Sequence, residues 1–203
     1  MSANHAAFNL IFRFVENYVS PIAGRISSQR HVMAIRDGFI SAMPFMIVGS
    51  FLLVFAYPPF SPDTTWGFAR AWLDMAKQFE GQILTPFDMT MGIMSIYICA
   101  AIAYNLGKHY VKSHQLDPFM CAMLSLMAFL LVAAPKTKGT LPVDSLGGTG
   151  IFTAILVAVY CVEMMRFLKS HNIGIRLPDQ VPPMIKNSFD LLIPVLVVVL
   201  TLY

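Results

Sequence analysis

Charge is what this sequence has least of. Asp, Glu, Lys and Arg together make up 12% of its 203 residues, about half the usual globular share. A soluble domain of this length could bury a core, but it would need more charge than this to solvate its surface. Cysteine is scarce too. Cys99, Cys121 and Cys161 are odd in number, show no CxxC or His/Cys spacing and lie within apolar runs. They argue against a disulfide frame and a zinc site, and read as small residues facing lipid or other helices. No cleavable secretory signal is expected, because the first apolar stretch is too polar and lacks a small-residue cleavage site. Internal repeats that would give an inverted pair of halves are absent as well. What remains is apolar: 57% of the residues are hydrophobic, and they are blocked into runs. The composition therefore predicts an all-α integral membrane protein and excludes a soluble enzyme.

Residues 6–20 read as an amphipathic helix at the membrane interface. Asn9, Arg13, Glu16, Asn17 and Ser20 draw one narrow polar stripe, and Pro21 and Gly24 are expected to end it. The first span is predicted over Phe39–Tyr57, with Pro44 near its start. A polar segment comes next, with Trp66, Phe68, Trp72 and Phe79 suited to a membrane–water boundary and a short interfacial helix over 65–80. The second span is placed at Met89–Leu106, closed by Gly107. The third covers Pro118–Ala134, and the fourth Gly150–Leu168 after a glycine-rich turn at Gly147–Gly150. A fifth begins near Leu191. Only 13 residues separate Leu191 from the end at Tyr203, counting both, whereas about 20 are needed to cross roughly 30 Å of hydrocarbon. The expectation is four full transmembrane helices and a fifth, truncated one.

Orientation is read from Lys and Arg. Arg13, Arg25, Arg30, Arg36, Lys108, Lys112, Arg166, Lys169, Arg176 and Lys186 fall on one side, against Arg70, Lys77, Lys136 and Lys138 on the other. The amino terminus is therefore expected in the cytoplasm.

Few residues invite chemistry. Glu163 is the one carboxylate well inside a predicted span, a position that suggests a proton or ion site. A plainer reading pairs it with Arg166, one turn on, near the end of the helix where both reach water. Asp37, beside Arg36, reads as a helix-start group. His109 and His114 are five apart, the wrong spacing for two ligands on one helical face. His5, His31 and His171 are read as solvated or headgroup-contacting. Residues Gly147–Gly150 lack the lysine of a phosphate loop, and the 14 methionines read as adaptable packing. No nucleophile–base pair, metal cluster or nucleic-acid surface is predicted.

Three stretches carry a resemblance. The first is His31-Val32-x-Ala34-Ile35-Arg36-Asp37-Gly38-Phe39-Ile40, with Met43-Pro44 and Val48-Gly49-Ser50-Phe51. The second is Met91-Gly92-Ile93-x-Ser95-Ile96-Tyr97, with Ile102-Ala103-Tyr104. The third is Leu177-Pro178-Asp179-x-Val181-Pro182-Pro183, with Ser188-Phe189 and Leu192-Ile193-Pro194. In this order they resemble the amino-terminal half of the membrane permease (enzyme IIC) of bacterial phosphotransferase systems, in the lactose, cellobiose and diacetylchitobiose group.

The resemblance implies a division of the chain. Residues 1–30 would be an interfacial segment, 31–175 a transmembrane scaffold forming a homodimer interface, 176–190 a cytoplasmic amphipathic link, and 191–203 the start of a sugar-transport domain. It implies cytoplasmic IIA and IIB phosphoryl carriers as partners, a β-linked disaccharide as the substrate of the full system, and residence in the bacterial cytoplasmic membrane. Carried over residue by residue, it yields no catalytic, substrate-binding or metal position here, and no cofactor. The chain is accordingly expected to be truncated and inactive alone. Two other readings stand beside it: a regulatory or assembly subunit pairing with a full permease, and an unrelated small transporter subunit working through Glu163.

Overall fold

The computed structural model describes residues 12–13, 15–134, 142–174 and 181–203. Among them every regular element is helical. A π-turn at Val15–Val19 leads into α1 (Ser20–Ser27), followed by α2 (Arg30–Ala56), α3 (Gly67–Thr90) and α4 (Met94–His114). Then come α5 (Pro118–Ala133), α6 (Ile151–Ser170), α7 (Pro183–Asp190) and α8 (Leu192–Leu202). Three helical stretches, Arg30–Ala56, Gly67–His114 and Gly148–Ser170, are long and apolar enough to cross a bilayer. α5 lies within one residue of its expected bounds, but its 16 residues make only about 24 Å of helix.

Two expectations about helix ends fail. Pro21 and Gly24 do not stop α1, which runs through both to Ser27. Pro21 sits in the first turn of α1, a position that proline tolerates. The stretch assigned to a short interfacial helix and the start of the second span is instead the single helix α3, with Pro86 inside it. The second span, α4, begins only at Met94 and continues past Gly107 to His114. Gly107 does not terminate it because that glycine serves packing. A Cβ there would stand 3.0 Å from Pro118 Cα and 3.1 Å from Cys121 Sγ. Gln115, at φ 52°, makes the left-handed cap instead.

α4 is the central element. α2 runs antiparallel beside it, with Gly38 against Ile102 and the rings of Phe45 and Tyr97 stacked at 4.4 Å. α5 returns antiparallel on another side, and Cys99 Sγ reaches the Ser125 carbonyl at 3.5 Å. α6 lies parallel to α4. At one end Ser95 donates its hydroxyl to the Gly147 carbonyl and its N–H to Leu146 O (3.0 Å). Ile98, Ile102, Leu106, Leu124, Phe129 and Val162 fill the space between, all fully buried or nearly so. The three cysteines are also fully buried, so they face helices rather than lipid. The outer face of α2 is the reverse, with Ile40, Met43, Ile47, Val48 and Phe51 exposed, an apolar surface that suits lipid or another helix.

α5 owes its start to Asp117. One side-chain oxygen accepts from the N–H of Phe119 (2.8 Å) and of Met120 (3.3 Å), with Pro118 next in line. Asp117→Ala is expected to destabilise the chain by about 1 kcal/mol. A fall of about 2–4 °C in unfolding midpoint would register it, whereas an unchanged midpoint would mean that the cap contributes nothing to stability.

At the far end α3 lies against the top of α2. The Trp72 indole N–H donates to Phe55 O at 3.2 Å, and Phe55, Phe60, Trp66, Phe68 and Trp72 form a connected ring cluster. Tyr57 donates to Glu80 (3.1 Å), and that bond to a carboxylate holds its phenol above the ordinary value. The cluster gathers Trp66, Phe68 and Trp72 but not Phe79, the fourth ring expected at a membrane–water boundary.

Candidate functional site

The polar residues of the bundle concentrate where α2 begins and α4 and α6 end. Glu163 projects from α6, 7 residues before that helix ends at Ser170. Its Oε2 lies 3.0 Å from Arg166 Nη2, the i, i+3 pair anticipated from spacing. Its Oε1 lies 2.9 Å from His31 Nε2 and also accepts the hydroxyl of Tyr110. A carboxylate only accepts, so the His31 ring carries its hydrogen on Nε2 in this contact. Arg166 Nη1 in turn donates to the Tyr110 oxygen at 3.2 Å. Both Arg30 and Arg166 stack on the Tyr110 ring, at 5.3 and 5.1 Å from its centroid, and His114 meets it edge-on at 5.5 Å.

Three helices thus converge on one carboxylate. The side chains of His31, Glu163 and Arg166 keep 31%, 26% and 39% of their exposure, so the cluster is half-buried and sits at the rim of the bundle. Its chemistry is that of a clamp: Glu163 receives donors from α2, α4 and its own helix, which fixes the relative placement of all three. His31 does not stand free, as its neighbour Arg30 and its place at a helix start suggested. The carboxylate that engages it lies 132 residues away in sequence. Tyr110 was missed for the same reason, being 53 residues from Glu163.

The other sequence candidates scatter. Asp37 pairs with Arg36 at 2.8 Å, well inside α2 rather than at its start. His114 Nδ1 lies 2.8 Å from the Ser113 hydroxyl, and His171 turns back on Phe167 O at 2.9 Å. Gly147–Gly150 forms a tight turn, closed so firmly that a Cβ on Gly150 would fall 2.0 Å from Ser145 O. His5 and Arg176 lie outside the described residues, as does most of the Leu177–Pro183 motif.

A second node ties the bundle to α7. Lys169 Nζ donates to Gln115 O (2.8 Å) and pairs with Asp190 of α7 at 3.2 Å. α8 then climbs beside α6 as far as Thr201, whose hydroxyl lies 2.6 Å from that of Tyr160.

The profile of the family described as "Phosphotransferase system, EIIC" matches residues 36–203. Over 92% of its length the chain is 36% identical to a "PTS system cellobiose-specific EIIC component" of Geobacillus stearothermophilus, and it covers 43% of that protein. It is 34% identical to a "Lichenan permease IIC component" of Bacillus subtilis, again over 92% of its length and 42% of the relative's. Among solved structures, the crystal structure of ChbC, the IIC component of an N,N'-diacetylchitobiose-specific phosphotransferase system, superposes with a TM-score of 0.77. That match is at 34% identity over 94% of this chain and 45% of that one. The chain therefore spans less than half the length of these relatives.

Proposed function

The chain belongs to the EIIC family of the phosphotransferase system, and from that premise we propose that it supplies the scaffold of a permease for a β-linked disaccharide such as cellobiose, diacetylchitobiose or lactose. A continuous match to sugar-specific IIC components along nearly the whole chain carries this reading. In the proposed division, 31–175 is the scaffold, 176–190 the link and 191–203 the beginning of the sugar-transport domain, with 1–30 lying at the interface. The central position of α4 and the Lys169–Asp190 pair between scaffold and link support that boundary.

The end that carries Arg30, Lys112, Arg166 and Lys169 faces the cytoplasm in this reading, in keeping with the excess of basic residues there. Cytoplasmic IIA and IIB proteins would deliver the phosphoryl group, and the exposed face of α2 offers surface for a homodimer. Since the chain covers only about 43% of its cellobiose-specific relative, transport would need the residues that relative has in addition.

Uptake of labelled cellobiose tests the reading in a host lacking its own β-glucoside permease and supplied with IIA and IIB. Background uptake is expected from these 203 residues, and sugar-specific uptake is expected once the remaining part of a cellobiose-specific relative is joined after Tyr203. Uptake by the chain alone would overturn the scaffold assignment. Failure of the joined protein, if it is stable in the membrane, would overturn the sugar class.

A further inference from the structure

We propose that the outer face of α6, together with the cationic cluster at its end, binds one anionic phospholipid. The face is apolar and continuous. Phe152, Leu156 and Phe167 are 71%, 56% and 51% exposed, with Tyr160 and Met164 between them at helical spacing. A shallow groove of about 300 Å³ lies at the Arg166 end of this face, lined by Tyr160, Glu163, Met164, Arg166 and Phe167. From Phe152 to Arg166 the helix rises about 21 Å, more than the roughly 15 Å of hydrocarbon in one leaflet. An acyl chain can therefore lie along the stripe while its headgroup stands level with Arg166. The Tyr160–Thr201 bond places α8 at one side of the groove.

Among the described residues the head end carries more positive charge than it neutralises. Arg30 and Arg166 both lie about 5 Å from the Tyr110 ring centroid, and His31 is beside them. Among the described residues Glu163 is the one carboxylate within ion-pair distance of these three groups. It engages Arg166 and His31 and leaves Arg30 without a carboxylate. A phosphodiester supplies the missing countercharge. A zwitterionic headgroup brings its own cation to two guanidinium groups and gains less, whereas free phosphate leaves the apolar wall uncovered. Basic pockets between membrane helices are suited to anionic headgroups on these grounds. The inference rests on this face of α6 lying open in a membrane and not on the sugar assignment.

Native mass spectrometry of the purified chain titrated with phosphatidylglycerol, phosphatidylcholine or inorganic phosphate tests it. One phosphatidylglycerol is expected to be retained at least about fivefold more tightly than phosphatidylcholine. Arg30→Gln should remove about that factor for phosphatidylglycerol alone, and Arg30→Lys should keep it. Arg30 is exposed and outside the Glu163 pairs, so both variants should fold, with circular dichroism as the control. Equal affinity for the two lipids would overturn the site. So would an indifferent Arg30→Gln, displacement of the lipid by inorganic phosphate, or a dimer that retains no lipid.

Discussion

Leucine in place of Gly38 is expected to lower the unfolding midpoint of the purified chain in detergent by about 6–12 °C, equivalent to about 3 kcal/mol. At Gly38 the backbones of α2 and α4 lie close together. A Cβ there would stand 2.4 Å from Ile102 Cγ1, 2.9 Å from Ile102 N and 3.0 Å from Ile102 Cα. A rotamer change can move the first of these atoms, but the other two are backbone, so the helices themselves must separate. Small residues at such crossings let two helix backbones approach and gain dispersion contact. The prediction discriminates because Gly81, inside α3, has no heavy atom within 4 Å of its Cβ position. Gly81→Ala should hold or raise the midpoint, since alanine favours a helix over glycine by up to about 1 kcal/mol. Ile102→Ala should rescue Gly38→Ala only in part, because the backbone contacts remain. A Gly38→Leu midpoint within about 2 °C of wild type would mean that α2 and α4 do not meet here.

Removing the Glu163 carboxylate is expected to have the next largest effect, about 2–3 kcal/mol for Glu163→Ala. Breaking a fully buried ion pair costs about 3–5 kcal/mol, and the 26% exposure of this side chain calls for a smaller figure because water screens the abandoned partners. The loss falls on His31, Tyr110 and Arg166 together, since all three donate to the same group. Glu163→Gln keeps an acceptor for Tyr110 and His31 but loses the charge facing Arg166, and should cost about half as much. A double-mutant cycle between His31→Ala and Glu163→Ala should give a coupling of about 1 kcal/mol. Additive single effects would dissolve the clamp. An unaltered midpoint for Glu163→Gln would mean that the charge on Glu163 does not hold the three helices together.

How much of the fold and the cluster is legible in the sequence depends on the range of the interaction. The third and fourth spans fall within about two residues of their expected places, because Pro118 and the Gly147–Gly150 turn are local signals that the backbone obeys without help. The Glu163–Arg166 pair is legible because it repeats at helical spacing. The second span is misplaced because Gly107 looks the same in sequence whether it caps a helix or admits a neighbour. Here Pro118 and Cys121, packed across α5, decide for admission. Pro86 likewise looks like a break, yet α3 passes through it.

Composition and hydropathy pattern are enough to give the class of molecule. The apolar runs cannot be solvated, a membrane leaves them only helices or barrels, and no alternating strand pattern competes. The family is legible too, through motifs that stand in a fixed order along the chain. The gathering of Arg30, His31, Tyr110, Glu163 and Arg166 into one cluster at the end of three helices is visible in the folded chain alone. Side chains separated by 53 and 132 residues share no local periodicity. They meet because Gly38 lets α2 close on α4 and the bonds from Ser95 to Gly147 and Leu146 seat α6 beside α4, and because the fixed rise of each helix then brings their ends to the same level.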